Sequence, residues 1–282
     1  MMLFVTGVAL WGAAAGLFLP RAAYRLSVEQ GRPWRSACPA GHPMSGPVAG
    51  WLGRAVCPQC LSSTGTRSRG PAPASDPGKQ RRNGPKASAG AGVGPRSSSY
   101  APAGGVVLAS TLTCLALGAG VGARPELFVW LLLAPFTVLL CLVDWSVHRL
   151  PDLLTLPLAV GTLAALGVAA LAGETSGSWP RALVGGLALA SAYFLLFLIN
   201  PRFVAFGDVK FALVLGQALG WYGWSVLFAG TIAAFLGAAA HGLALIALRR
   251  ADRTTMIPFG PFMAGGALAS MVWAGLGPSA GL

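Results

Sequence analysis

Charged residues are scarce in this chain, and acidic residues are the scarcest of them. Of its 282 residues, 10% are charged and only 8 are Asp or Glu. Soluble globular domains contain roughly one quarter charged residues. Hydrophobic residues make up 55% of the chain. This composition excludes an ordinary soluble domain and indicates a membrane protein.

Apolar runs long enough to cross a bilayer recur along the chain. A hydrocarbon core of about 30 Å needs a helix of about 20 mostly apolar residues. Because lipid offers no hydrogen-bond partners to backbone groups, such runs are expected to be helices. The sequence therefore predicts an all-α fold, a polytopic bundle of about eight transmembrane helices. The predicted spans are 2–20, 103–122, 126–144, 153–172, 181–200, 207–221, 224–247 and 257–278.

The first predicted span contains no Lys or Arg between Met1 and Leu19. A secretory signal peptide carries positive charge at its start, so this span is expected to be a retained transmembrane helix. Arg21 and Arg25 follow it. By the positive-inside rule, the loop after this helix is expected to lie in the cytoplasm.

The net charge of +12 could suggest a nucleic-acid partner, but the position of the basic residues argues against one. Twelve of the 20 Lys and Arg residues lie between Arg21 and Arg96. In the predicted topology only Arg124 and Arg181 fall on the outer side. The positive-inside rule accounts for this distribution, so membrane lipid rather than nucleic acid is the expected environment. The other basic residues on the cytoplasmic side are Arg149, Arg202, Lys210, Arg249, Arg250 and Arg253.

Aromatic residues are absent between Leu61 and Ser99, where Ser, Gly, Pro and Ala dominate. Such a segment cannot bury enough apolar surface to offset its ordering entropy, and it is predicted to be a disordered linker. The alternative is a basic strip that contacts anionic lipid. The predicted organisation is a first transmembrane helix at 1–20, a small cytoplasmic module at 21–60, a linker at 61–101 and a membrane domain at 102–282.

Two of the few acidic residues stand at the ends of apolar runs. Asp144 ends the run LLLAPFTVLLCLV, and Asp208 begins the run DVKFALVLG. The predicted topology places both on the cytoplasmic side. A pair of facing carboxylates that shares a proton suits peptide hydrolysis, although isolated helix-end carboxylates at the interface are also ordinary. Asp152 follows Pro151 before another apolar run and is predicted to cap the amino end of its helix.

Three segments occur in a specific order. They are D-W-S-V-H-R-L-P-D-L-L-T-L-P from Asp144 to Pro157, A-F-G-D-V-K from Ala205 to Lys210, and I-P-F-G-P-F from Ile257 to Phe262. Together they resemble the type IV prepilin leader peptidases, a family of membrane aspartic proteases. The resemblance implies that Asp144 and Asp208 are the catalytic pair, within a supporting motif of Pro151, Asp152, Ala205, Gly207 and Lys210. Ala205 replaces the first glycine of the family's G-x-G-D, which removes part of the backbone freedom there.

The amino-terminal region also resembles this family, at Gly16–Leu19 and at Pro47–Leu52. The family's module carries two C-x-x-C pairs that bind zinc, and it is tied to methylation by S-adenosylmethionine. This chain keeps one pair, but the other reads C-P-A-G-H, and the family's acidic residue before I-P-x-x-S-W has no counterpart. Cys38, His42, Cys57 and Cys60 still form a Cys₃His set suited to tetrahedral zinc. Free thiols are the alternative, and a Cys57–Cys60 disulfide is disfavoured in a reducing cytoplasm.

The resemblance implies an aspartic endopeptidase of the plasma (inner) membrane. Its substrates would be prepilins or pseudopilins of type IV pilus and protein secretion systems. It would cut their basic leaders at the cytoplasmic face and N-methylate the new amino terminus. A proton-coupled transporter could use the same acidic pair, but the predicted spans contain no deep charged relay. A non-catalytic assembly relative would fit Ala205 and the missing cysteine.

Overall fold

A computed structural model describes residues 1–29, 31–54, 56–65, 103–173, 175–201, 203–250 and 256–276. These residues form ten helices and no strand. The predicted linker lies outside the described residues, apart from 61–65, which end α3. The helices are α1 Met2–Leu26, α2 Pro47–Gly50, α3 Pro58–Gly65, α4 Ala103–Val121, α5 Pro125–Val147, α6 Asp152–Ala172, α7 Trp179–Ile199, α8 Phe206–Tyr222, α9 Trp224–Ala247 and α10 Gly260–Leu276.

Six of these helices, α1, α4, α5, α6, α7 and α9, are long and apolar enough to cross a membrane. The all-α, multi-pass membrane class is thereby confirmed. Helices α8 and α10 have 17 residues each and are shorter than the six. The count of eight transmembrane helices therefore stays a prediction.

Helix α8 lies at the centre of the bundle and packs against α6, α7, α9 and α10. Phe211, Val214 and Trp221 on this helix are completely buried. A helix that is mostly apolar all round packs against either other helices or lipid, and the four neighbouring helices enclose α8. This position puts Asp208, near the start of α8, inside the protein.

Small residues allow α7 and α8 to approach closely. A Cβ atom on Gly216 would lie 2.7 Å from the Gly185 carbonyl oxygen, and one on Gly220 would lie 2.6 Å from the Arg181 carbonyl oxygen. Such distances leave no room for a side chain. The contact is therefore made by backbone packing, as is common between transmembrane helices.

The small module that contains α2 and α3 is attached to the last turns of α1. Arg21 donates from Nη1 to the Ser45 carbonyl at 2.9 Å. Arg25 donates from Nη1 to the Ala49 carbonyl at 2.8 Å. The Ser27 hydroxyl, just after α1, is 2.6 Å from the hydroxyl of Ser146 on α5. The module thus lies at the same end of the bundle as the last turn of α5.

The opposite end of α5 is fixed by a second set of hydrogen bonds. Glu126 is completely buried and accepts bonds from the Ser176 N–H at 3.0 Å and the Ser176 hydroxyl at 2.6 Å. Trp130 donates from Nε1 to the Tyr222 hydroxyl at 2.7 Å. Because Tyr222 ends α8, this contact joins α5 and α8 at the end remote from Asp144 and Asp208.

Candidate active site and metal cluster

Asp144 lies in the last turn of α5, which continues to Val147 and is followed by His148 in the left-handed conformation. The His148 N–H donates to the Asp144 carbonyl at 2.8 Å and closes the helix. The Asp144 side chain is buried, and its Oδ2 accepts the Gly260 N–H at 2.8 Å. A buried carboxylate needs such a partner because desolvation is costly.

Gly260 begins α10 inside the segment I-P-F-G-P-F. A Cβ atom at this position would lie 2.9 Å from Oδ2 of Asp144. The glycine therefore lets the backbone N–H reach the carboxylate directly. This gives the third motif segment a physical role, which the sequence alone did not assign.

Asp208 lies in the first turn of α8, and its Oδ2 accepts the Ala205 N–H at 2.9 Å. Its side chain is buried as well. Ala205 has φ −79° and ψ 154°, an extended conformation that any residue adopts. Alanine in place of the family's glycine therefore causes no backbone strain. Gly207 is the tighter position, because a Cβ there would lie 3.1 Å from the Leu150 Cβ.

Asp144 and Asp208 are both buried at the same end of the bundle, where Gly207, next to Asp208, packs against Leu150, six residues after Asp144. Each aspartate uses one oxygen for a backbone N–H, and the other oxygen makes no hydrogen bond to the described residues. His148 interacts electrostatically with Asp144, and the buried Tyr193 of α7 does so with Asp208. Sequence reasoning did not single out Tyr193. Its only signal is a polar hydroxyl inside an apolar run.

Asp152 does not cap α6 as predicted. Pro151 occupies the cap position, and no side chain makes a capping hydrogen bond there. The Asp152 carboxylate instead lies 2.6 Å from Nζ of Lys210 on α8. The Lys210 ammonium also lies over the Phe206 ring, 4.5 Å from its centroid. The ion pair therefore joins the first turns of α6 and α8 beside the two buried aspartates.

The four predicted metal ligands Cys38, His42, Cys57 and Cys60 come together in the module, with their ligand atoms all within 4.8 Å of one another. The Cys38 N–H donates to the His42 carbonyl, and the Gly41 N–H donates to the Cys38 carbonyl, both at 2.9 Å. These bonds fold the first ligand segment into a tight turn. Cys57 and Cys60 stand at the start of α3. All four side chains thus point toward one centre.

The spacing of these atoms fits a tetrahedral metal ion. Zn–S bonds of about 2.3 Å and Zn–N bonds of about 2.0–2.1 Å place tetrahedral ligands roughly 3.5–3.8 Å apart. The Sγ atoms of Cys38 and Cys60 are 3.8 Å apart. His42 Nδ1 lies 3.7 Å from the Sγ atoms of Cys38 and Cys57, and 3.3 Å from that of Cys60. The cysteines form no disulfide.

The thiols of this cluster affect one another's ionisation. Burial raises the pKa of Cys60, and the neighbouring Cys57 and Cys38 thiols add to the rise, to about 11. Burial also opposes ionisation of Cys38, but hydrogen bonds from the Ala40 and His42 backbone and the two thiols lower its pKa to about 7. One thiolate therefore forms easily and disfavours a second. A bound cation would remove that repulsion.

Fold and site together define a multi-pass membrane protein with two buried aspartates at one end of its bundle. Residues 131–246 match the model of the Type IV leader peptidase family. This segment contains Asp144 and Asp208, whereas the Cys/His cluster lies outside it. The resemblance inferred from the sequence segments is confirmed.

Curated proteins named prepilin leader peptidase/N-methyltransferase are similar to this chain. The protein from Stutzerimonas stutzeri is 32% identical over 148 residues, 52% of this chain and 48% of the relative. That from Aeromonas hydrophila is 32% identical over 171 residues, 59% and 55% respectively. That from Pseudomonas putida is 29% identical over 161 residues, 54% and 52%. The chain thus spans about half the length of these relatives. No solved structure matches it significantly.

Proposed function

We propose that this protein is a membrane aspartic endopeptidase that cleaves the leader peptide of prepilin-like proteins. The observation that carries the proposal is the pair of buried carboxylates on α5 and α8, each held by one backbone N–H. The family match over 131–246 and the names of the relatives support the same activity.

The geometry suits a shared-proton mechanism. Two nearby carboxylates in a poorly solvated site do not both ionise easily, so one of Asp144 and Asp208 holds a proton. The ionised member takes a proton from water as the water oxygen attacks the scissile carbonyl. The protonated member donates to the carbonyl oxygen, and proton return to the amide nitrogen then releases the new amino terminus. The backbone N–H groups of Gly260 and Ala205 fix the orientation of the two carboxylates.

The proposed site faces the cytoplasm from the plasma (inner) membrane. Asp144 lies at the module end of α5, and Arg149 and Lys210 are at this end too. Arg124 and Arg181 stand at the starts of α5 and α7, the opposite end. The positive-inside rule then favours a cytoplasmic position for the aspartates. A prepilin or pseudopilin helix in the membrane would present its leader junction at that boundary.

Co-expression with a prepilin-like substrate tests the activity, with the mature amino terminus read by mass spectrometry. Asp144→Asn and Asp208→Asn should each abolish cleavage while the protein remains in the membrane. Asp152→Asn is the matched control and should be much milder, because its carboxylate contacts Lys210 rather than the buried pair. If Asp144→Asn and Asp208→Asn both cleave the substrate at the parent rate, the two aspartates are not catalytic. If the parent protein does not cleave it either, a non-catalytic assembly role is favoured.

We propose further that Cys38, His42, Cys57 and Cys60 hold one structural zinc ion. The support is the Cys₃His donor set with separations that fit tetrahedral coordination. Elemental analysis of gently purified protein should find about one zinc per chain. Changing both Cys57 and Cys60 to Ser should remove it, whereas the Cys114→Ser control, which alters a cysteine within α4, should not. Metal-free parent protein would leave the four residues as an ordinary polar cluster.

The relatives' names combine leader cleavage with N-methylation. Transferred to this chain, that activity would use S-adenosylmethionine as the methyl donor. The co-expression experiment reads it directly, because replacing one hydrogen of the amino terminus with a methyl group adds the mass of one CH₂ unit. A cleaved but unmethylated product would restrict the proposal to the peptidase.

A further inference from the structure

An apolar groove of about 490 Å³ runs between α1, α5, the start of α6 and the module. Large side chains line it and remain substantially exposed, including Phe18 at 47%, Leu132 at 53% and Leu153 at 59%. The volume falls in the range of small-molecule sites, about 300–1,000 Å³. Because α1, α5 and α6 are candidate membrane spans, a groove between them is expected to be filled by acyl chains or by a partner helix.

The length of the groove matches a lipid chain. Its lining residues on α1 run from Trp11 to Leu26, a stretch of roughly 22 Å at about 1.5 Å per residue. Half of the hydrocarbon core is about 15 Å thick. The groove is therefore long enough to hold an acyl chain that spans one leaflet, and Trp51 and Leu52 line its module end.

The module end of the groove carries positive charge without a matching acid. The Arg25 guanidinium lies over the ring of Trp51, 4.1 Å from its centroid. One nitrogen of this guanidinium donates to the Ala49 carbonyl, a neutral acceptor that leaves the positive charge uncompensated. Within the described part of the chain, no carboxylate forms an ion pair with Arg25. The acidic residue of the module, Glu29, pairs with Arg32 instead.

We propose that this groove binds a phospholipid with an anionic headgroup. One acyl chain occupies the apolar channel, and the phosphate lies against Arg25 at the module end. Charge complementarity selects this occupant: an uncompensated arginine attracts an anionic headgroup and repels a basic leader peptide. The bound lipid would cover surfaces of both α1 and the module residues Trp51 and Leu52, and so stabilise the attachment of the module to the bundle.

Native mass spectrometry of the full chain tests the proposal. The protein is first placed in nanodiscs that contain equal amounts of phosphatidylglycerol and phosphatidylcholine, and the lipids that it retains after release are then measured. Retained phosphatidylglycerol should exceed phosphatidylcholine about fivefold, the effect of one basic residue near a membrane surface. Equal retention of the two lipids would overturn the proposal. Displacement of phosphatidylglycerol by an apolar peptide with a basic leader would instead identify the groove as a substrate site.

Three variants test whether the phospholipid binds in this groove. Arg25→Gln should reduce phosphatidylglycerol retention to the phosphatidylcholine level, whereas the exposed Arg32→Gln control should not change it. Ala15→Phe fills the apolar channel and should reduce retention of both lipids. Circular dichroism and gel filtration of each variant report whether the protein stays folded. If Arg32→Gln acts as strongly as Arg25→Gln, or if Ala15→Phe retains both lipids normally, the groove is not the binding site.

Discussion

One backbone N–H group orients each candidate carboxylate. Asp144 depends on the Gly260 N–H at 2.8 Å, and a Cβ at residue 260 would lie 2.9 Å from the same oxygen. An added methyl group must therefore displace the carboxylate or lengthen the bond. A hydrogen bond to a charged group contributes about 1.5–3 kcal/mol. The position is thus one where the smallest substitution should affect catalysis.

We expect Gly260→Ala to lower the rate of leader cleavage at saturating substrate about 10- to 100-fold, in keeping with loss of that hydrogen bond. Gly265→Ala on the same helix is the matched control, because a Cβ there meets nothing within 4 Å. Initial cleavage rates of the two variants provide the measurement. Equal rates for Gly260→Ala and the parent protein would show that this bond does not orient a reacting carboxylate.

The catalytic candidates could be predicted from the sequence, but their partners could not. Asp144 and Asp208 are singled out by the two segments that resemble the family, since a carboxylate at the end of an apolar run is ordinary by itself. The Gly260 N–H belongs to a residue that is ordinary in apolar helices, and only the packing of α10 brings it to Asp144. The cap predicted for Asp152 is wrong, because its carboxylate pairs with Lys210, which is distant in sequence.

Among the helices, the contact between α6 and α8 is held partly by the Lys210–Asp152 ion pair. The Asp152 side chain is 65% exposed and that of Lys210 is 15% exposed. Solvent screening limits such a half-exposed pair to about 1 kcal/mol or less. Lys210 also contacts the Phe206 ring, so its loss removes two interactions.

We therefore expect Lys210→Gln to slow cleavage more than Asp152→Asn does, while neither abolishes it. A double-mutant cycle on cleavage rates should give a coupling of at most about fivefold, equivalent to roughly 1 kcal/mol. We take the Asp152–Lys210 ion pair to position α6 and α8 rather than to take part in the reaction. Asp152→Asn that is as inactive as Asp144→Asn would contradict this role.

The close contact between α7 and α8 leads to a stability prediction. Gly216→Ala would force a Cβ to within 2.7 Å of the Gly185 carbonyl oxygen, and overpacking of this kind costs about 1–3 kcal/mol. We expect a fall of several degrees in the apparent melting temperature in detergent. Gly161→Ala on α6 is the control, since its Cβ meets nothing within 4 Å. Equal melting temperatures for both variants would contradict the close approach.

Most helices could be predicted from apolar run length alone, because lipid-facing helices must be about 20 residues long. Hydropathy does not distinguish α8 from the others, although α8 is enclosed by four neighbours. Its burial follows from packing, which is set by glycines such as Gly216 and not by hydropathy. The module was recognised through its Cys and His spacing, while its attachment by Arg21 and Arg25 required the folded chain.

On the scale of the whole molecule, the two candidate sites are separate. The aspartates lie on α5 and α8 and are held by backbone groups of α8's first turn and α10. The Cys/His cluster lies in the module, which is joined to the bundle through Arg21, Arg25 and the Ser27–Ser146 contact. None of the hydrogen bonds that hold the carboxylates comes from the described residues of the module. Loss of the module's structure should therefore leave the aspartates in place.

We expect removal of the metal by a chelator to unfold the module without stopping leader cleavage. A closed Cys₃His site contributes directly to the folding of a small segment, so its ligand turns should open when the ion is lost. Limited proteolysis should then cut within residues 31–60, where the metal-loaded protein resists. Cleavage of a prepilin-like substrate by the same sample should persist, and added zinc should restore protection. Simultaneous loss of protease resistance and leader cleavage, with both recovered on zinc addition, would show instead that the module and the aspartate pair form one functional unit.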